Sequence, residues 1–117
     1  MDFKKILIAV DNSIYSEKAA KAGYELASKF NSDVALINII EPVPVTVNPD
    51  FTLAPVFLEA FDNSEGNSHL LLKEIENKHS NGIATIYLSI IDTAGHGILQ
   101  QAEEWGAELI EIGRAHV

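Results

Sequence analysis

The chain has no cysteine, which removes a disulfide framework, a thiolate nucleophile and any cysteine-based metal site. Basic residues are scarce: 8 Lys and Arg stand against 17 Asp and Glu, a net charge of −9. That balance argues against a nucleic-acid polymer or an anionic membrane as partner. It leaves room for a small anion, because a helix N-terminus can hold a phosphate locally. No apolar run approaches the length needed to cross a bilayer and no signal-peptide pattern opens the chain, so a cytoplasmic protein is expected. Proline is confined to four positions, 42, 44, 49 and 55.

Several chemical patterns are missing as well. There is no Gly-x-Ser-x-Gly elbow, so Ser13 and Ser16 read as helix caps, not nucleophiles. His69, His79, His96 and His116 lack paired metal-ligand spacing and are expected to face solvent. Glu103 and Glu104 are neighbours on a helix and cannot face each other as a catalytic pair. Gly95-His96-Gly97 has Gln100 where a dinucleotide fingerprint needs glycine, and it lies far from the first βα turn.

What is present is the pattern of an α/β domain. At 117 residues, with 47% apolar and 21% charged content, the chain reads as one globular domain over 1–117, small for a complete α/β sheet. The unbroken apolar run Ile6–Val10 predicts a strand buried on both faces. It ends at Asp11, then Asn12 and Ser13, both good helix N-caps. Open α/β sheets bind ligands beyond the carboxyl ends of their strands, where the strand order switches. Asp11 is therefore the first candidate site residue, with a plain turn or capping role as an equal alternative.

From Ser13 onward, Ala19, Ala22, Gly23, Leu26, Ala27 and Phe30 make one apolar helical stripe with small residues that let the helix lie close to a sheet. Glu17–Lys21 and Glu25–Lys29 stand at i,i+4 on its outer side. Asn31 to Asp33 end the helix, and Val34–Ile40 predicts a second buried strand interrupted only by Asn38, completing a right-handed βαβ unit. Glu41–Pro55 predicts a long apolar, proline-bearing loop that covers a pocket or packs on a partner. An interrupted helix is expected from Phe57 to Lys78, weakened between Asp62 and Ser68. Asn81-Gly82 marks a turn, and Ile83–Ile91 alternates like an edge strand. Asp92–Gly97 reads as a loop before a third helix whose stripe is Ile98, Leu99, Ala102 and Trp105, capped by Gly106. Trp105 is expected in the core and the Lys4-Lys5 pair in solvent. Ala107–Ile112 then forms a last strand, giving β-α-β-α-β-α-β.

Three segments carry a family resemblance. Lys4-Lys5-Ile6-Leu7-Ile8-Ala9-Val10-Asp11-Asn12-Ser13 resembles the opening strand of the universal stress proteins, a basic pair, an apolar run and Val-Asp-x-Ser. Leu36-Ile37-Asn38-Ile39-Ile40-Glu41-Pro42 is similar to their second strand. Ala102-Glu103-Glu104-Trp105-Gly106-Ala107-Glu108-Leu109-Ile110 is similar to the end of their third helix and the start of their fourth strand. The resemblance implies a Rossmann-like, mainly parallel sheet of order 3-2-1-4-5, in a homodimer joined through the fifth strand. It also implies an ATP or other adenine-nucleotide site, with or without a divalent metal. Carried over by position, Ala9, Val10 and Asp11 line the adenosine, with Asp11 near the ribose, Asn12 and Ser13 follow as further cofactor-binding positions, Ile39 meets adenine through its main chain, and Gly113 opens the phosphate-binding motif.

After Gly113 the sequence departs from that motif: the further glycines, the Gly-Ser pair, the last helix and the last strand do not follow. Ile112-Gly113-Arg114-Ala115-His116-Val117 can be encoded by ATC GGA AGA GCA CAC GTC, which resembles the start of a short-read sequencing adapter. The charge of Glu111 is also odd within an apolar strand. The expectation is thus a C-terminally truncated member whose genuine sequence ends near Ile110, with residues 112–117 a non-native tail. The plain reading, a real protein ending in Gly-Arg-Ala-His-Val, stands against it. Weak or no nucleotide binding is expected of the chain as given, and an exposed last strand that invites aggregation. Three functions follow: an adenine-nucleotide-binding regulatory domain with at most slow hydrolysis, a non-nucleotide dimeric interaction module, and an α/β enzyme fragment using Asp11.

Overall fold

The computed structural model describes residues 3–42 and 54–113, and of residues 54–65 the backbone alone. The elements run β1 (Lys5–Ala9), α1 (Ile14–Phe30), β2 (Asp33–Ile40), α2 (Ala54–His79), β3 (Thr85–Ile91), α3 (Ala94–Trp105) and β4 (Leu109–Ile112). The four strands form one parallel sheet of order β3-β2-β1-β4. This is the Rossmann-like α/β architecture expected, with β3 at one edge. Among the described residues no helix is long and apolar enough to cross a membrane.

The central strands are apolar throughout because both their faces are covered. Ile6, Ile8, Val34 and Leu36 point toward α1 and α2, where they meet Ala20, Tyr24, Ala27, Leu72 and Ile75. Leu7, Ala9, Ala35 and Ile37 point the other way, onto Ile98 and Ala102 of α3. Since crossovers between parallel strands are right-handed, steps from β1 to β2 to β3 put α1 and α2 on one face. The return step from β3 to β4 puts α3 on the opposite face. The strand order therefore reverses at β1, and β1 and β4 lie side by side, with Leu7 opposite Ile110 and Ala9 opposite Ile112.

The small stripe of α1 acts as anticipated. A Cβ on Gly23 would stand 2.5 Å from Ile8 Cδ1, so the helix backbone rests directly on β1. The stripe itself is rotated slightly from expectation: Ala20 and Tyr24 are buried, whereas Ala22 is exposed. The helix ends at Asn31 in the left-handed conformation, φ 55°, a geometry asparagine tolerates.

Other expectations are corrected. The second helix is continuous from Ala54 to His79, with no break between Asp62 and Ser68. Packing of Leu72 and Ile75 outweighs the weak propensity of that stretch, and Ser68, buried, bonds to Ser89 at 2.8 Å. Pro55 falls in the first turn of that helix, where its missing N–H costs nothing. The remainder of the proline-bearing loop, 43–53, lies outside the described residues, as do residues 114–117. α3 begins at Ala94, four residues before the Ile98 start that the sequence suggests, with its first amide capped by the Glu41 carboxylate. Lys5 does not stand free in solvent: its ammonium donates to the Trp105 carbonyl at 3.0 Å and lies 5.4 Å from the centre of that ring. Trp105 is partly buried against the α3-side core, as expected.

Glu17 and His79 also depart from expectation. Rather than pairing with Lys21, the Glu17 carboxylate leaves α1 to meet His79, at 2.5 Å, and Lys78, at 3.4 Å, on α2. His79 is therefore half-buried, not a free surface histidine. The hydrogen bond from His79, then those from Lys78, hold the Glu17 carboxyl below its ordinary 4.5. A lowered carboxylate contributes stability that is present above its unfolded value and lost as pH falls through its folded value. Urea unfolding of the wild type and of Glu17→Gln is thus expected to differ at pH 6, by less than about 1 kcal/mol for so exposed a pair, and to converge near pH 3.

Candidate functional site

Beyond the carboxyl ends of β1, β2 and β4 lies a cavity of about 330 Å³. One wall is Ala9, Val10 and Asp11, another is Ile37, Asn38, Ile39 and Glu41, and Ala94 and Ile98 of α3 with Ile112 and Gly113 complete it. The opening lies where β1 and β4 are neighbours whose crossover helices lie on opposite faces, so among the described residues no crossover helix covers the gap between them. Of the seven residues singled out in sequence, the structure brings Ala9, Val10, Asp11, Ile39 and Gly113 to this cavity. Asn12 is exposed and Ser13 part-buried at the start of α1, and neither lines it.

The turn after β1 is built around Asp11. Its Oδ1 accepts from the Ser13 amide at 2.8 Å and from the Ser16 hydroxyl at 2.9 Å, while the Asp11 amide donates to Ser16 Oγ at 2.6 Å. Ser16 is fully buried, so this reciprocal pair fixes how Asp11 leaves the strand. Ser13 occupies the N-cap position, yet its hydroxyl makes no cap bond, and its Oγ is buried without a hydrogen-bond partner among the described residues. Asp11 and Ser16 thus tie down the turn that precedes α1, in place of the cap bonds that sequence assigned to Asn12, Ser13 and Ser16.

Asn38 supplies the second fixed point. Its side-chain amide donates to the Val10 carbonyl at 2.8 Å, tying the ends of β1 and β2 together at the cavity wall. In sequence it stands out only as the polar break in an apolar strand. Glu41 supplies the third: its Oε1 accepts the Ala94 amide at 2.9 Å and so caps α3. Asp92 caps the adjacent Thr93 amide at 2.7 Å. His96 Nδ1 lies 2.6 Å from Asp92 Oδ2, and this contact, then the Thr93 amide, holds the Asp92 carboxyl below its ordinary value. Sequence reading assigns Glu41 no role within the second-strand segment and takes Ser16 only as a cap; their bonds to Ala94 and Asp11 emerge only in space.

Gly113 is buried where the end of β4 meets the first turn of α1. A Cβ there would stand 2.2 Å from the Tyr15 carbonyl oxygen and 2.9 Å from Ala19 Cβ, so no side chain fits. Among the described residues no group of three or more His, Asp or Glu side chains is placed to hold a metal. His69 and His96 are exposed, in keeping with the sequence reading, and His116 lies outside the described residues.

An open parallel α/β sheet with a crevice at its point of strand-order reversal defines the Rossmann-like class of folds. Within that class the match is specific: the family model of the universal stress proteins covers residues 2–116, and the chain belongs to the universal stress protein family. Among solved structures it is similar to universal stress protein UspA from Lactobacillus plantarum, with a TM-score of 0.82 at 16% identity over 100% of this chain and 81% of that one. A universal stress protein in complex with cAMP matches with a TM-score of 0.67 at 14% identity, covering 94% of this chain and 71% of that one. The universal stress protein from Archaeoglobus fulgidus in complex with dAMP matches with a TM-score of 0.55 at 19% identity, covering 96% and 82%. No curated protein matches at a significant level. At these identities the structural likeness carries the fold, and the two complexes show that some members of the fold bind adenine nucleotides.

Proposed function

We propose that the crevice binds ATP or another adenine nucleotide, and that the domain serves a regulatory, stress-response role with at most slow hydrolysis. The supporting observation is the convergence of Ala9, Val10, Asp11, Ile39 and Gly113 on one cavity at the strand-order reversal. Its apolar floor, Ile37, Ile39 and Ile98, suits a base, and Asp11 at the rim suits ribose hydroxyls, which donate to a carboxylate. Gly113 lines the cavity with backbone alone, the space of its missing side chain being filled by Tyr15 and Ala19 of α1. With no resident metal cluster among the described residues, a divalent ion would arrive with the phosphates. A cytoplasmic homodimer completes the proposal.

One observation favours the second reading, a module that binds no nucleotide: Asp11 Oδ1 is already engaged by Ser13 and Ser16. Titration with adenosine and with a fluorescent ATP analogue separates the two. Saturable but weak binding is expected, with similar affinities, because the cavity walls contact the nucleoside. Asp11→Asn keeps an acceptor for Ser13 but loses the charge, and should weaken binding about tenfold with little change in melting temperature. Absence of saturable binding to the wild type would leave the interaction module as the surviving reading.

A further inference from the structure

Glu41 is a cavity residue to which the family resemblance assigns no role. We propose that it determines base specificity, presenting a carboxylate oxygen that accepts the exocyclic amine of a 6-aminopurine and rejects a 6-oxopurine. The inference rests on the nucleotide-binding reading above and deepens it.

Three observations carry it. First, Glu41 lines the cavity one residue beyond β2, two positions after Ile39. Residues two apart along an extended chain point the same way, so Glu41 continues the wall that Ile39 begins. Second, one of its oxygens is fixed: Oε1 receives the Ala94 amide at 2.9 Å, which anchors the carboxylate to the first turn of α3. Anchoring by backbone means the side chain is oriented before any ligand enters. Third, a carboxylate only accepts hydrogen bonds, and among the described residues Oε2 is the oxygen that remains for a ligand. A donor such as an amine is matched there, while a purine carbonyl would set two acceptors against each other. Of the rest of that wall, Ile37, Ile39 and Ile98 carry no side-chain donor, and the Asn38 amide donates to the Val10 carbonyl at 2.8 Å.

The same anchor makes a sharp test possible. In Glu41→Gln the Ala94 amide still requires an acceptor, so the glutamine carbonyl takes that position and its NH₂ is turned to the cavity. An acceptor becomes a donor without loss of the α3 cap. Calorimetric titration of the whole chain with adenosine, inosine and N6,N6-dimethyladenosine reads the result. The wild type should bind adenosine about tenfold tighter than inosine, because Glu41, exposed in the free protein, is left facing the purine carbonyl once the base covers it. Dimethyladenosine, which lacks the amine hydrogens but keeps the ring nitrogens, should bind as weakly as inosine. Glu41→Gln should bring the adenosine-to-inosine ratio to unity or below. If adenosine binds and dimethyladenosine binds equally well, or if the ratio survives in a folded Glu41→Gln protein, the role of Glu41 is refuted while the nucleotide reading stands. If none of the three nucleosides binds the wild type, the nucleotide reading itself fails.

Discussion

Leu36→Ala is expected to lower the free energy of unfolding by about 2–5 kcal/mol, the range for a leucine truncated in a rigid core. Leu36 is fully buried at the middle of β2, a strand with neighbours on both sides, opposite Ile8 on β1 and Tyr87 on β3. Its side chain belongs to the cluster formed with Ile6, Val34, Leu72 and Ile75 beneath α1 and α2. The surroundings are anchored in three directions by backbone, so collapse around the missing methyl groups should be slight. Urea unfolding checks the value: the midpoint should fall with little change in slope, since the surface exposed on unfolding is nearly the same. A loss below about 1 kcal/mol would mean that the core is loosely packed, contrary to the usual density of protein interiors.

Gly113→Ala is the second large effect. The added methyl would sit 2.2 Å from the Tyr15 carbonyl oxygen and 2.6 Å from its carbon, which are backbone atoms of a helix and cannot rotate away. Either the end of β4 or the first turn of α1 must move. Overpacking of this kind costs about 1–3 kcal/mol. The end of β4 borders the crevice, so nucleoside binding should fall together with stability. Gly66→Ala is the control: it has nothing within 4 Å of a Cβ and lies in the middle of α2, so it should stabilise the protein slightly. If Gly113→Ala left both melting temperature and binding unchanged, the contact between β4 and the α1 turn would not exist in solution.

Glu111 shows how a residue that looks misplaced along the chain can sit well in space. As a charge inside an apolar strand it suggested a foreign tail, yet it faces the α1 side at the sheet edge, half-buried, with its Cγ near the Gly23 backbone. A strand at the edge of the described sheet has room for a carboxylate to reach solvent, which a central strand lacks.

Much of the rest was legible from residue order alone. Apolar runs without alternation marked β1 and β2 as doubly covered strands, the small stripe of α1 marked a helix pressed on a sheet, and right-handed crossovers then leave few ways to order four parallel strands. Those inferences are local, and local sequence carries them. What the tertiary structure decided is which polar groups meet. Ser16 clasping Asp11, Asn38 bridging to Val10, Glu41 capping Ala94 from 53 positions away and Glu17 crossing to His79 all join residues with no shared motif. A hydrogen bond depends on where two atoms lie within a few tenths of an ångström, and that placement follows from the packing of whole helices against the sheet. Periodicity sets the direction of a side chain along its own element; only the assembled layers determine what it finds there.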